Sequence, residues 1–222
     1  MAEPFVIALD GPAASGKSTV GLGAARQLGF HYLDTGLLYR ALTWLALQRQ
    51  VDPSDEAGLA ELAGRLRLTL ADSGDVRLDG RDITHALNSP EVDATISIVS
   101  AHPQVREALR PVQRALLQQP PGVIMAGRDI GTVIVPEAPL KVWLSASTAE
   151  RARRRAAQTG ESFDSVHQSM LRRDRIDGSR QTAPMRPAPD AIELATDGVP
   201  PEAVIARIVE LARRRLTGHG SC

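Results

Sequence analysis

Short, wholly apolar runs alternate along this chain with longer stretches of helical period. Residues 5–9 read Phe-Val-Ile-Ala-Leu, a pattern that suits a strand covered on both faces of a parallel sheet. A loop of Gly, Pro, Ala and Ser follows. A helical pattern over 17–28 comes next, and Gly29 ends it. Tyr32 and Leu33 form a short strand-like piece, and from Asp34-Thr35-Gly36 an amphipathic helix runs to about Arg49. Asp52-Pro53 reads as the start of another helix reaching roughly Leu66. Residues 67–84 change character: apolar and polar positions alternate, and Asp79-Gly80 is a hairpin-turn pair. An antiparallel hairpin is foreign to a βαβ repeat, so this stretch reads as an insertion. Helices are predicted over 89–101 and 103–118, and strands over 123–126 and 141–144. Ser147 with Glu150 reads as a capping box. The helix it opens breaks at Thr159-Gly160, and a further helix ends near Asp177. A last strand is predicted over 192–195 and a final helix over 200–216, with a frayed tail at 218–222. Strands alternating with helices predict an α/β fold with a parallel sheet flanked by helices.

Composition narrows the function. The 222 residues suffice for one large domain, or one domain with an embedded subdomain. Lys plus Arg and Asp plus Glu balance at 26 each, so the positive surplus that attracts a nucleic-acid polymer is missing. Aromatics at 3% offer little for base stacking. Cys222 is the only cysteine, which excludes disulfides within the chain and suits a reducing compartment. Residues 1–4 lack the pattern of a signal peptide, and the apolar runs are too short to span a bilayer. A cytoplasmic protein with no membrane partner is expected. The five histidines are scattered without metal-ligand spacing.

The sharpest signal is Gly11-Pro12-Ala13-Ala14-Ser15-Gly16-Lys17-Ser18, which fits G-x-x-x-x-G-K-[ST] between a buried strand and a helix. Glycines let the backbone curl so that successive N–H groups point at one anion. The helix N-terminus adds partial positive charge. Lys17 can reach the β- and γ-phosphates of a nucleoside triphosphate, and the Ser18 hydroxyl can ligate Mg²⁺. Thr19 completes the binding stretch 11–19. Lys17 and Lys141 are the only lysines in a chain that otherwise uses arginine, so a lysine at this position stands out. An Asn-Lys-x-Asp guanine-reading motif is absent.

A phosphate acceptor is already anionic and needs no general base. What it needs is cations from several segments, to neutralise two polyanions and align the attack. Arg40, Arg128 and the arginines of 151–180 are candidates. Taken singly, Arg154, Arg155, Arg172 and Arg175 read as solvated helix faces. Asp10 and Asp34 could support Mg²⁺ through water or cap a helix or turn, and the sequence leaves both readings open. Gly21 and Gly23 read as packing glycines, and Trp44 and Trp143 as core.

Further pieces carry a resemblance: Ile7-Ala-Leu-Asp10-Gly-Pro, Leu33-Asp34-Thr35-Gly36-Leu-Leu-Tyr39-Arg40, Val105-Arg106-Glu-Ala-Leu109-Arg110 with Gln113-Arg114, Ala126-Gly127-Arg128-Asp129-Ile130-Gly131-Thr132-Val133, and Arg173-Asp174-x-x-Asp177-x-x-Arg180 with Ala183-Pro184. In this order they resemble the bacterial cytidylate kinases over nearly the whole chain. The resemblance implies a P-loop nucleoside monophosphate kinase core over 1–222. It also implies an NMP-binding insertion over 63–102, containing the hairpin, and a helical lid over 151–180. ATP would be the donor with Mg²⁺ as cofactor, and CMP or dCMP the acceptor. Lys17, Arg128 and Arg180 would be catalytic. Arg40 and Arg128 would hold the acceptor phosphate, with Thr35 beside them. Ser97, Arg106 and Asp129 would read cytosine, and Arg173 and Asp177 would hold the ribose hydroxyls. Arg180 would reach the acceptor from the lid. A monomer is expected. Ile176 and Gly178 stand where some relatives carry further arginines, so fewer lid cations are expected here. Other small-molecule P-loop kinases, and nucleotide-binding modules without turnover, are the alternatives.

Overall fold

The computed structural model describes residues 4–70, 75–180 and 182–219. In chain order these form β1 (Phe5–Asp10), α1 (Lys17–Leu28), β2 (His31–Asp34), α2 (Gly36–Gln48), α3 (Glu56–Gly64), β3 (Leu68–Leu70), β4 (Val76–Leu78) and β5 (Arg81–Asp82). A 3₁₀ turn (His85–Asn88) leads to α4 (Pro90–Val99), α5 (Pro103–Ala115) and β6 (Gly122–Gly127). A π-turn (Ile130–Ile134) precedes β7 (Leu140–Ser145), α6 (Thr148–Thr159), α7 (Phe163–Ser179), β8 (Ile192–Ala195) and α8 (Pro201–His219). The chain divides into two compact units, Met1–Tyr32 with Leu117–Cys222, and Leu33–Leu116.

The first unit is built on a sheet of order β2-β6-β1-β7-β8. The pairs β1–β6, β1–β7 and β7–β8 are parallel. Central β1 is buried at every residue, which is why its sequence is apolar without alternation. Ile7, Leu9, Ile124 and Leu144 pack with Val20 and Ala24 of α1 and Ile208 and Ala212 of α8. Small residues allow this close approach. A Cβ on Gly21 would lie 2.4 Å from the Tyr32 ring, and one on Gly23 would lie 2.4 Å from Ile205 of α8.

The register sets Asp10 opposite Gly127. The loops that follow β1 and β6 therefore leave the sheet side by side at its carboxyl end, where parallel sheets bind ligands. Two predicted helix stops occur as left-handed caps: Gly29 N–H donates to Ala25 O, and Gly160 N–H to Ala156 O. The predicted capping box is half made. Ser147 Oγ accepts from Glu150 N–H, but Ser147 N–H donates to the Asp197 carboxylate at 3.0 Å. Glu150 instead pairs with Arg153 and Arg154.

The second unit has its own core of Leu38, Leu42, Leu59, Ile96, Val105 and Leu109. Its antiparallel sheet runs β3-β4-β5. Leu78 pairs with Arg81 across Asp79 and Gly80. Their φ values of 49° and 81° are both positive, as a type I′ turn requires. Val76 and Leu78 face Ala41 and Trp44, so the alternation seen in the sequence marks one buried face. Residues 71–74 of the alternating stretch predicted over 67–84 lie outside the described residues. Asp52-Pro53 does not open α3. The Asp52 carboxylate accepts from both Ser54 N–H and Ser54 Oγ, forming a side-chain turn. The helix starts three residues later, with Asp55 as its N-cap accepting from Gly58 N–H at 3.0 Å.

Candidate active site

In the first unit β1 delivers the phosphate loop. Gly11 sits at φ 154°, and a Cβ there would lie 2.3 Å from the Leu144 carbonyl oxygen of β7. Only a glycine fits such an approach. Ala14 and Gly16 also take positive φ, 56° and 98°. The curl ends at Gly16, whose carbonyl accepts from Val20 N–H at 3.0 Å in the first turn of α1. The positive end of that helix therefore faces the loop. Lys17 Nζ donates to the carbonyl oxygens of Gly11 at 2.9 Å and Pro12 at 2.7 Å. Ser15 is fully buried, and its hydroxyl has no hydrogen-bond partner among the described residues. Ser18 and Thr19 are exposed at the start of α1.

Arg128 follows β6 and donates to Gly11 O at 3.2 Å. Its Nε lies 3.5 Å from Asp177 Oδ2. Arg180 at the end of α7 pairs with the other oxygen of the same carboxylate. The side chains of Asp177 and Arg180 are 2% and 4% exposed, so one buried carboxylate serves two guanidinium groups. Half-buried Arg173 lies one helical turn before Asp177 on α7. Asp129 is buried, and its carbonyl accepts from Val133 N–H at 2.8 Å as the π-turn opens.

Helices α6 and α7 also reach the loop. Arg151, 3% exposed, donates to Ala13 O at 3.3 Å and binds Asp174 of α7 at 2.5 Å. Ala152, Val166 and Met170 pack together with Ala14 against them. Arg154 contradicts the solvated reading. It donates to Thr196 Oγ1 at 3.0 Å and Thr196 O at 2.6 Å, 42 residues away. It also lines a cavity of about 380 Å³ with Ser15, Gly16, Thr19, Thr196 and Val199. Arg172 and Arg175 are exposed, as their helical positions suggest.

The remaining predicted residues lie in the second unit. Arg40 of α2 donates to Leu87 O at 2.7 Å and pairs with Asp93 of α4 at 2.6 Å. Arg106 of α5 is buried, donates to Ser100 O at 3.0 Å and lies over the Tyr39 ring at 5.4 Å. Ser97, one turn of α4 from Ser100, and Thr35, just before α2, are also buried.

Comparison with known proteins then decides the family. The sequence profile described as cytidylate kinase matches residues 7–214. The chain belongs to the cytidylate kinase family.

The cytidylate kinase of Desulfitobacterium hafniense is 44% identical over 99% of this chain and 97% of its own length. That of Geobacillus thermodenitrificans is 43% identical over 97% and 100%. A bifunctional pantoate ligase/cytidylate kinase of Prochlorococcus marinus is 43% identical over 96% of this chain but 46% of its own length. The chain thus spans about half of such bifunctional relatives. Among solved structures, a shikimate kinase from Acinetobacter baumannii, in complex with shikimate, is similar in fold, with TM-score 0.50 at 14% identity over 94% of this chain and 92% of that one.

Within the family frame, two residues that the sequence pointed to weakly gain definite places. Asp34 Oδ1 accepts from Gly36 N–H at 2.9 Å, which is the turn-capping alternative. Asp10 accepts from two backbone amides beyond β6. Burial is the main cause that lifts its carboxyl from 3.8 to about 6, opposed by those amides. No metal-ligand cluster of three His, Cys, Asp or Glu side chains occurs among the described residues, and no described helix is long and apolar enough to cross a membrane.

Proposed function

We propose that this chain transfers the γ-phosphoryl group of ATP to CMP, and to dCMP, giving ADP and the cytidine diphosphate. The observation that carries the reading is Arg128. It is an acceptor-type arginine held against the carbonyl of Gly11 in the donor loop, and it shares Asp177 with Arg180.

Residues 11–19 cradle the donor phosphates. Lys17 leaves the Gly11 and Pro12 carbonyls to follow the transferred group, a short move for a flexible ammonium. The Ser18 hydroxyl, exposed at the helix start, suits an ion that arrives on the nucleotide phosphates and keeps most of its water. Bound there, Mg²⁺ supplies charge neutralisation across the phosphates. The cavity beside Gly16 has the volume for the donor base.

Arg40, Arg128 and Arg180 clamp the acceptor phosphate, with Thr35 donating a hydroxyl. Ser97, Arg106 and Asp129 read cytosine. A carboxylate accepts from the N4 amine, while arginine and serine donate to N3 and O2. Uracil presents an acceptor where cytosine has the amine, and the carboxylate then stands unpaired and repelled. Arg173 and Asp177 hold the ribose. Residues 63–102 form the acceptor-binding insertion, and residues 151–180 form a lid that excludes water. The enzyme acts as a cytoplasmic monomer. Calorimetric titration with CMP and AMP tests the acceptor assignment. Saturable CMP binding with AMP far weaker is expected, and equal affinity for both contradicts it.

A further inference from the structure

Asp10 ends β1 one residue before the phosphate loop and is 5% exposed. Both carboxylate oxygens serve the chain beyond β6. Ile130 N–H donates to Oδ1 at 2.8 Å, and Gly131 N–H to Oδ2 at 2.7 Å. Those amides begin the π-turn directly after Arg128 and Asp129. The turn is packed as well as bonded. A Cβ on Gly131 would lie 3.1 Å from Lys141 Cδ and 3.5 Å from Ala8 Cβ. The Lys141 ammonium is taken up by Asp190 at 2.8 Å. The aliphatic stem of the second lysine therefore packs on the turn that Asp10 caps.

We propose that Asp10 is a positioning residue for phosphoryl transfer: its ionised carboxylate fastens the turn after β6 to β1 and so holds Arg128 at the Gly11 carbonyl. The proposal rests on Arg128 serving the acceptor as described above. A neutral side chain cannot do the same work, because only a carboxylate offers an unprotonated acceptor to each amide at once. The charges that face it are Lys17 on α1, which favours ionisation, and Asp129, which opposes it. Burial, with Asp129 acting in the same direction, outweighs the two amides and Lys17 and lifts the carboxyl to about 6. Lowering the pH through that value removes one acceptor and loosens Arg128. It also relieves the cost of a buried charge, so activity and stability move in opposite directions. A cap with a purely structural role would move them together.

Two measurements test this. In the first, kcat/KM for CMP is compared between the parent and Asp10→Asn across pH. A ratio cancels the titration of CMP itself. The variant is expected roughly tenfold to a hundredfold lower at about pH 8, with that gap narrowing about three- to fourfold by about pH 5.5 as the parent carboxylate is protonated. A ratio that stays constant with pH overturns the proposal. The second needs neither the variant nor turnover: the Asp10 carboxyl carbon and the Ile130 and Gly131 amides are titrated by NMR in the parent. A shared midpoint near 6 is expected. Ile130 and Gly131 amides that ignore the carboxyl titration overturn the proposal even if CMP phosphorylation stands.

Discussion

The Arg128 guanidinium donates to the Gly11 carbonyl oxygen at 3.2 Å. The bond joins the first residue past β6 to the first residue of the phosphate loop, 117 positions apart in sequence. Arg128 also lies at Asp177 through its Nε, and a planar fork can address both at once. Lysine places one point charge and cannot. Arg128→Lys is expected to lower kcat/KM for CMP by about 10²-fold, the scale of one lost transition-state donor. KM for ATP should stay within a few-fold. Steady-state kinetics with each substrate varied in turn checks this.

Asp177 compensates buried cations. Its side chain is 2% exposed and that of Arg180 is 4% exposed. Asp177→Asn leaves positive charge buried without its counter-ion, and breaking such a pair costs about 3–5 kcal/mol. A large drop in urea midpoint at unchanged m-value is the expected result.

Glycines separate close packing from local looseness. Gly178 lies in α7 with nothing within 4 Å of an added Cβ, so Gly178→Ala should stabilise by about 0.5–1 kcal/mol. Gly11→Ala drives a Cβ into the Leu144 carbonyl at 2.3 Å and should both destabilise the fold and abolish ATP binding. Thermal denaturation with and without ATP distinguishes the two effects.

Stability should depend on pH through Asp10. Its folded value of about 6 lies above the ordinary 3.8. The folded state thus favours the protonated form, and that contribution is fully present below 3.8 and lost as pH rises through 6. By linkage this is worth about 3 kcal/mol between the limits. Asp52, Asp82, Asp190 and Asp197 are shifted down by hydrogen bonds to Ser54, Thr84, Lys141 and Ser147. Their stabilisation is lost only at lower pH, as pH falls through their depressed values. Between about pH 7 and 5 the parent should therefore gain stability, and Asp10→Asn should not. Chemical denaturation at the two pH values reads this difference.

What the sequence reveals and what it hides follow the range of each interaction. The phosphate loop is legible because strand, glycines and helix are contiguous. Asp79-Gly80 is legible because a type I′ turn needs two adjacent residues at positive φ. Arg154 reads as a surface residue because its helical neighbours say nothing of Thr196, 42 positions on. Asp10 stays ambiguous because its partners are 120 and 121 residues away. Ser147 fits a capping box in sequence, yet Asp197 takes its amide. A competing carboxylate 50 residues distant leaves no local pattern. Asp52-Pro53 misleads for the opposite reason: a local side-chain turn and a helix start use the same residue types, and Asp55 supplies the better cap.

The proposed reaction is phosphoryl transfer to a cytidine monophosphate by the Lys17 loop. ADP release coupled to a chromogenic readout, with CMP, dCMP, UMP and AMP offered separately, tests it most directly. Fast release is expected with CMP and dCMP, slow release with UMP and AMP, and a loss on the order of 10²–10³ in kcat for Lys17→Ala. Equal rates for AMP and CMP, or a near-normal rate without Lys17, would contradict it.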